Sequence, residues 1–177
     1  MAKIFYVDPS KCTGCRTCEL VCSIKNEGVA NPVLSRIRVI ADKDRGLRVP
    51  TLCQQCQDAP CVSVCPVNAL KRDNVLGITK LDKDRCIGCK MCISACPFGG
   101  IAVNPLSGEI FKCDLCGGDP QCVRFCEDKA IMYLESDVVV MDKKRGALER
   151  QAPLFEQYGV RGGIVRVAEL ATHRPRG

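Results

Sequence analysis

Sixteen cysteines stand in four tight groups of four, and none lies outside them. The first group is Cys12, Cys15, Cys18 and Cys22; the second is Cys53, Cys56, Cys61 and Cys65. The third is Cys86, Cys89, Cys92 and Cys96; the fourth is Cys113, Cys116, Cys122 and Cys126. Thiolates are soft ligands, suited to zinc and to iron–sulfur clusters. Groups one and three run C-x2-C-x2-C-x3-C, the spacing that holds [4Fe–4S] cubanes, with the fourth thiolate ligating a neighbouring cluster. Groups two and four are the same device with the middle gap widened by two and three residues.

Loop curvature separates iron from the other readings. Three thiolates spaced two residues apart wrap a cubane while the intervening N–H groups point at its sulfides. Structural zinc is usually held by two C-x2-C knuckles a dozen or more residues apart, so cysteines packed directly behind the second have no role there. Disulfide scaffolds belong to small secreted chains, and the N-terminal MAKIFYVDPSK lacks the apolar stretch of a signal peptide. The sequence also has no G-x-G-x-x-G, no Walker loop and no Ser/His/Asp set. No catalytic residue is assigned. The chain is expected to move electrons and to leave substrate chemistry to another subunit.

Other chemistry-bearing residues are few. His173, the only histidine, reads as a free surface residue. Arg16 and Lys90 each follow the second cysteine of a group, as solvated side chains or as cations near a cluster. Met91, Met132 and Met141 read as core filler.

These ligands need elements to hold them, and the chain repeats itself in supplying them. VDPSKCTGCRTCELVC (7–22) matches LDKDRCIGCKMCISAC (81–96), and CQDAPCVSVC (56–65) resembles CGGDPQCVRFC (116–126). The order A-B-A′-B′ reads as duplication of a two-motif unit. The expected fold class is α+β: two modules of short strands and helices around clusters, in one body. A short helix is expected to run on after each last cysteine. Extended pairs are expected from Asn68–Leu70 to Val75–Leu81 through Asp73-Asn74, and from Gly100–Val103 to Glu109–Phe111 around the turn NPLSG (104–108).

Ile37–Ile40 reads as a strand and Asp42–Arg48 as a charged turn. Pro66 and Pro97 follow the last cysteine of groups two and three, whereas Ser23 and Glu127 stand there in groups one and four, so the outer groups are expected to take a different backbone path. Beyond the ligands, VVVM (138–141) reads as a strand, ALERQAPLFEQY as a helix broken or started near Pro153, GIVRVAEL (163–170) as an apolar stretch, and THRPRG as a frayed end.

Composition fits a metal-organised chain. There are about 44 residues per group, aromatics make up 5% and Trp is absent, so no large independent core is available. Cluster insertion is therefore expected to be part of folding. The formal charge of +6 is misleading. Sixteen thiolates take 16 from it and four oxidised cores at about +2 each return about 8, leaving the loaded protein near −2. A basic balance is thus no argument for nucleic acid, and the single RGG at Arg161–Gly163 adds none. No apolar run reaches the length of a membrane span, so direct membrane insertion is not expected.

The four groups in this order, with stretched spacing in the second and fourth, resemble the four-[4Fe–4S] ferredoxin-type electron-transfer subunits of molybdenum and tungsten oxidoreductases. The resemblance covers residues 3 to about 135. It implies two ferredoxin-like modules within a four-cluster domain over 1–135, the inner one at 50–112 and the outer one at 1–49 plus 113–135; beyond it, the apolar patches of 136–177 read as a C-terminal extension for packing or partner docking. It also implies four cluster sites: Cys12, Cys15, Cys18 and Cys126; Cys53, Cys56, Cys61 and Cys96; Cys86, Cys89, Cys92 and Cys65; and Cys113, Cys116, Cys122 and Cys22. The inner pairing follows from the local spacing rule as well, but the outer pairing rests on the resemblance.

The implied role is to pass single electrons between a large catalytic subunit and an acceptor or donor. A tungsten or molybdenum pterin partner is favoured, with the tungsten aldehyde oxidoreductase type first, a flavin subunit as one exit, and self-association of such wires as a further arrangement. Hydrogenase, formate dehydrogenase and carbon-monoxide dehydrogenase partners remain open, as does a freely diffusing polyferredoxin. A cytoplasmic location is expected.

Overall fold

The computed structural model describes residues 3–157, with side chains described to 153. His173, GIVRVAEL, the RGG triplet and THRPRG lie outside the described residues. The chain divides into two compact units, Met1–Ser136 and Asp137–Gly177. The first carries all sixteen cysteines.

Four two-stranded antiparallel sheets form that unit. β1 (Lys3–Val7) pairs with β8 (Ile131–Glu135), β2 (Arg38–Asp42) with β3 (Leu47–Thr51), β4 (Leu70–Asp73) with β5 (Ile78–Leu81), and β6 (Ile101–Val103) with β7 (Ile110–Lys112). The last three are hairpins closed by one device. Asp42 Oδ1 accepts from the Asp44 and Arg45 N–H groups, Asp73 Oδ1 from Val75 and Leu76, and Asn104 Oδ1 from Leu106 and Ser107. A glycine four residues after each acceptor takes the left-handed turn, Gly46 at φ 64°, Gly77 at 65° and Gly108 at 74°. The turn after β4 is accordingly longer than Asp73-Asn74, and Val75 is left 94% exposed within it.

β1 and β8 pair in register, Lys3 with Glu135 through Val7 with Ile131. Directly opposed Phe5 and Tyr133 bring their rings to 5.3 Å between centroids. That contact joins the two ends of the unit.

The helices are short because the ligand loops leave little room. α1 (Thr17–Glu27) is the exception; α2 is Pro60–Ser63, α3 Met91–Ala95 and α4 Gln121–Arg124. Only α1 runs past its fourth cysteine. The other three carry the third cysteine and stop before the fourth, which corrects the expectation of helices after it. Proline explains two of the cases, since Pro66 and Pro97 disfavour helical backbone at Cys65 and Cys96. Ser23 permits what proline forbids. Its N–H stays in the helix and its hydroxyl donates to the Leu20 carbonyl at 2.9 Å. α1 then ends at Gly28, at φ 73°, whose N–H donates to the Ile24 carbonyl at 3.0 Å.

Two small clusters of buried side chains sit beneath these elements. One gathers Phe5, Ile37, Leu52, Ile78, Leu115 and Ile131 around Cys18, Cys22 and Cys122. The other gathers Ala59, Leu70, Ile101 and Ile110 around Cys61 and Cys92. Each fully buried aliphatic side chain contributes about 1.5–3 kcal/mol, and there are few of them.

Described by itself, α5 spans Ser136–Gln157 with Pro153 inside it. VVVM is therefore helical rather than extended, and the helix neither starts nor breaks at Pro153. The β-branched run is short, while 142–152 is dominated by helix formers, and helix propagation carries the weaker segment along. Met91 and Met141 are about half exposed, so neither fills a core. Among the described residues no helix is long and apolar enough to cross a membrane.

Candidate iron–sulfur sites

Four cavities are each walled by four cysteines, and each draws them from two groups. Cys12, Cys15 and Cys18 share a cavity of about 190 Å³ with Cys126. Cys113, Cys116 and Cys122 share one with Cys22. Cys53, Cys56 and Cys61 stand with Cys96, and Cys86, Cys89 and Cys92 with Cys65. All sixteen are free thiols.

The crossing has a local cause that sequence reading missed. Three residues after the fourth cysteine of groups two, three and four, the backbone turns left-handed at Asn68 (φ 52°), Gly99 (60°) and Lys129 (52°). Each donates its N–H back to the cysteine carbonyl, at 3.3, 3.4 and 3.1 Å. The next N–H then faces sulfur: Ala69 donates to Cys65 Sγ at 3.2 Å and Gly100 to Cys96 Sγ at 3.3 Å. In group one the helix replaces this turn, and Cys22 Sγ accepts from the Arg36 N–H at 3.3 Å and Asn26 Nδ2 at 3.6 Å. The available signal was the small residue four after each of these cysteines, Ala69, Gly100 and Ala130.

The approach to each first cysteine repeats too. Asp8 Oδ1 accepts from the Ser10 N–H at 3.1 Å, and Asp82 Oδ1 accepts from Asp84 at 3.1 Å and Arg85 at 3.3 Å. Inside the loops, Gly14 and Arg16 in group one match Gly88 and Lys90 in group three, all at positive φ. Gln55 in group two and Leu115 and Cys116 in group four do the same. Left-handed backbone costs a non-glycine residue about 1–2 kcal/mol, so these loops hold strain for the sake of where their sulfurs point. Arg16 and Lys90 are exposed on the rims.

Electrostatics divide the thiols. Burial pushes Cys18 up to about 12, with the Glu19 carboxylate adding to it, and burial pushes Cys113 up to about 12. Cys122, Cys61, Cys92 and Cys116 are also raised, chiefly by burial. The Thr17 hydroxyl and N–H hold Cys15 below the usual thiol value. Burial works against the Cys65 thiolate, but the N–H groups of Leu70, Ala69, Val67 and Asn68 together outweigh it and lower this thiol. A thiol raised to about 12 stays protonated at neutral pH until a metal displaces the proton.

Two charged groups brace the outer loops. Glu19 is 1% exposed and its Oε1 accepts from the Val39 N–H at 2.7 Å, tying α1 to β2. Arg36 pairs with Asp114 at 3.3 Å and Glu27 at 3.6 Å beside the cavity of Cys22.

A cubane fits this arrangement. The donor set is four thiols per cavity, backbone N–H groups meet sulfur, and the loops are curved round the space. Among the described residues no group of three or more His, Cys, Asp or Glu is arranged to hold a single metal ion.

Known proteins resemble the chain throughout this region. Residues 45–118 match the family model described as a 4Fe-4S dicluster domain, and 5–23 match a 4Fe-4S binding domain. The polyferredoxin-like subunit of aliphatic sulfonate oxidoreductase from Pyrococcus furiosus is 43% identical over 122 residues, covering 69% of this chain and 70% of that one. Thiosulfate reductase electron transfer subunit PhsB from Salmonella typhi is 36% identical over 172 residues, covering 89% and 86%. Electron transport protein HydN from Escherichia coli is 36% identical over 160 residues, covering 76% and 89%. Among solved structures, the active site complex BamBC of benzoyl coenzyme A reductase as isolated aligns with 84% of this chain and 90% of that one, at 25% identity. Its TM-score is 0.46.

Proposed function

The protein belongs to the family of ferredoxin-like [4Fe–4S] electron-transfer subunits of oxidoreductase complexes, and we propose that it is the wire of a tungsten-dependent one. Its sixteen cysteines fit four [4Fe–4S] clusters. The single observation that carries the wire is the set of four cysteine-walled cavities, each closed by a thiol from another group.

We assign one cluster to each cavity: Cys12, Cys15, Cys18 with Cys126; Cys22 with Cys113, Cys116, Cys122; Cys53, Cys56, Cys61 with Cys96; and Cys65 with Cys86, Cys89, Cys92. The two middle groups then form an inner module and the first and last an outer one. The buried cysteines support that division, Cys18, Cys22 and Cys122 lying in one cluster of buried side chains and Cys61 and Cys92 in the other. A bound [4Fe–4S] cluster takes up and releases one electron at a time. The chain's own residues hold it, donate N–H groups to its thiolates and shield it, with Cys15 and Cys89 the exposed ligands. Exchange with a partner is assigned to those two loops, and docking to the segment 136–177.

The partner is a large catalytic subunit. Relatives named as subunits of aliphatic sulfonate oxidoreductase and of thiosulfate reductase support that reading, and the resemblance of the four-group order favours a tungsten pterin of the aldehyde oxidoreductase type. A flavin subunit is the proposed exit and the cytoplasm the proposed location. The test is an elemental inventory of the complex purified without oxygen through a tag on this chain. About sixteen irons per chain together with tungsten is the expected result. Iron without tungsten moves the partner to a molybdenum or nickel enzyme, iron with no second chain makes this a free carrier, and iron far below that count overturns the four-cluster assignment.

A further inference from the structure

Lys112 ends β7 and is 6% exposed, a rare environment for an ammonium group. Its Nζ donates to the Thr79 carbonyl at 2.9 Å, Gln55 Oε1 at 3.2 Å and the Cys113 carbonyl at 3.2 Å. Three acceptors consume three N–H bonds, so the geometry satisfies the protonated form; a neutral amine would turn its lone pair towards an oxygen. All three acceptors are neutral oxygens, so the charge is solvated without being cancelled.

The location of this charge matters. Lys112 lines the cavity of Cys53, Cys56, Cys61 and Cys96, and it directly precedes Cys113, which lines the cavity of Cys22, Cys116 and Cys122. It stands at the junction of an inner site and an outer one. Burial pushes the Cys61 and Cys113 thiols up, and the Lys112 charge opposes that rise at both.

The surroundings hold the group still. Gln55 Oε1 also accepts from the Thr79 N–H at 3.0 Å, and Gln55 Nε2 donates to the Cys113 carbonyl at 2.9 Å. Arg72 Nη1 donates to the Gln55 and Cys56 carbonyls, fixing the loop from below. The internal repeat supplies a control. Hairpin β2–β3 leads to Cys53 just as β6–β7 leads to Cys113, and there the residue before the cysteine is Leu52, 1% exposed. The repeated unit therefore folds with an apolar residue at that place, and the buried cation in the second copy calls for another reason.

We propose that Lys112 is a potential-setting residue: a fixed buried cation that raises the reduction potential of the cluster held by Cys53, Cys56, Cys61 and Cys96, and to a smaller degree that of the cluster held by Cys22, Cys113, Cys116 and Cys122. The inference rests on the ligand assignment above. Reduction adds one negative charge to a cluster, and a nearby cation in a weakly screened interior stabilises it. One electron arrives and the same electron leaves.

The experiment is a redox titration followed by electron paramagnetic resonance, with iron counted on the same samples of the full chain purified without oxygen. Lys112→Met is expected to lower one potential by about 59 mV or more, about a tenfold shift in occupancy for a one-electron couple, and a second by less. Gln55→Glu places a carboxylate against the same ammonium and is expected to move the same couple in the same direction. Lys43→Met removes an exposed charge that lines none of the four cavities and is expected to move none. Should Lys112→Met lose iron, Gln55→Glu alone decides. Unmoved potentials at full iron content overturn the role of Lys112. Fewer than four titrating centres in the unsubstituted chain overturn the assignment on which it rests.

Discussion

The Asp8 N–H donates to the Ala130 carbonyl at 2.9 Å, and the bond has a twin, Asp82 to Ala69 at 2.8 Å. In each pair the aspartate introduces a C-x2-C-x2-C loop and the alanine lies four residues beyond the last cysteine of a stretched group. The two bonds therefore clamp group one to group four and group three to group two. They bring Cys126 to the cavity of Cys12, Cys15 and Cys18, and Cys65 to that of Cys86, Cys89 and Cys92. A second tie, Thr13 Oγ1 to Asp128 Oδ2 at 2.9 Å, reinforces the first pair across 115 positions.

Cys126→Ser should therefore damage a cluster whose other ligands lie over a hundred residues away. The expected spectroscopic outcome is loss or conversion of the centre held by Cys12, Cys15 and Cys18, with the centre held by Cys113, Cys116 and Cys122 intact. Damage to the latter with the former spared would sink the crossed assignment.

Gly100 tests how closely the inner loop packs. Its φ is not positive, so conformational freedom is not the issue; a Cβ there would stand 2.7 Å from the Cys53 Cα. Backbone cannot swing aside as a side chain can. Gly100→Ala is expected to cost about 1–3 kcal/mol and to lower the temperature at which the visible cluster absorbance bleaches. Gly88→Ala, with open space around it but φ 68°, should cost about 1–2 kcal/mol through backbone strain alone.

Much of the site was legible because its grammar is local. Cysteine spacing named the cofactor, and the Asp and Asn residues before each hairpin glycine marked three turns. The pairing of Lys3–Val7 with Ile131–Glu135 was not legible, since neither segment carries a turn that points to the other. Nor was the left-handed turn at Lys129, where only the following Ala130 hints at crowding. VVVM misled for the opposite reason. Its local β preference is real, but a helix of 22 residues outweighs four of them. The charge at Lys112 could not be read at all, because burial is decided by Gln55 and Thr79, far away in sequence.

Asp73 gives a prediction with a pH sign. Lys80 Nζ, 2.8 Å from its Oδ2, holds the carboxyl below the ordinary 3.8, and turn N–H groups add to the effect. A depressed carboxyl contributes stability fully above 3.8 and loses it as pH falls through the native value. Hydrogen-exchange protection of hairpin β4–β5, corrected for intrinsic rates, should stay level from about pH 7 to pH 5 and be lower throughout in Asp73→Asn. A fall in protection across that window in the unsubstituted chain would place the titration elsewhere.

Iron removal is the broadest test, because the buried clusters of side chains are built partly from the ligands themselves. Cys18, Cys22 and Cys122 lie in one, and Cys61 and Cys92 in the other. Without a cluster these thiols face one another around a space that no side chain fills. The remaining aliphatic contacts are few, and several loop residues stay in strained left-handed backbone with nothing gained in return. The metal-free chain, kept reduced, should therefore lose most of its native far-ultraviolet circular dichroism. The signal should return on reconstitution with iron and sulfide, in step with iron content. A native-like spectrum after complete iron removal would show that side-chain packing alone holds the fold, and that the clusters are guests in it.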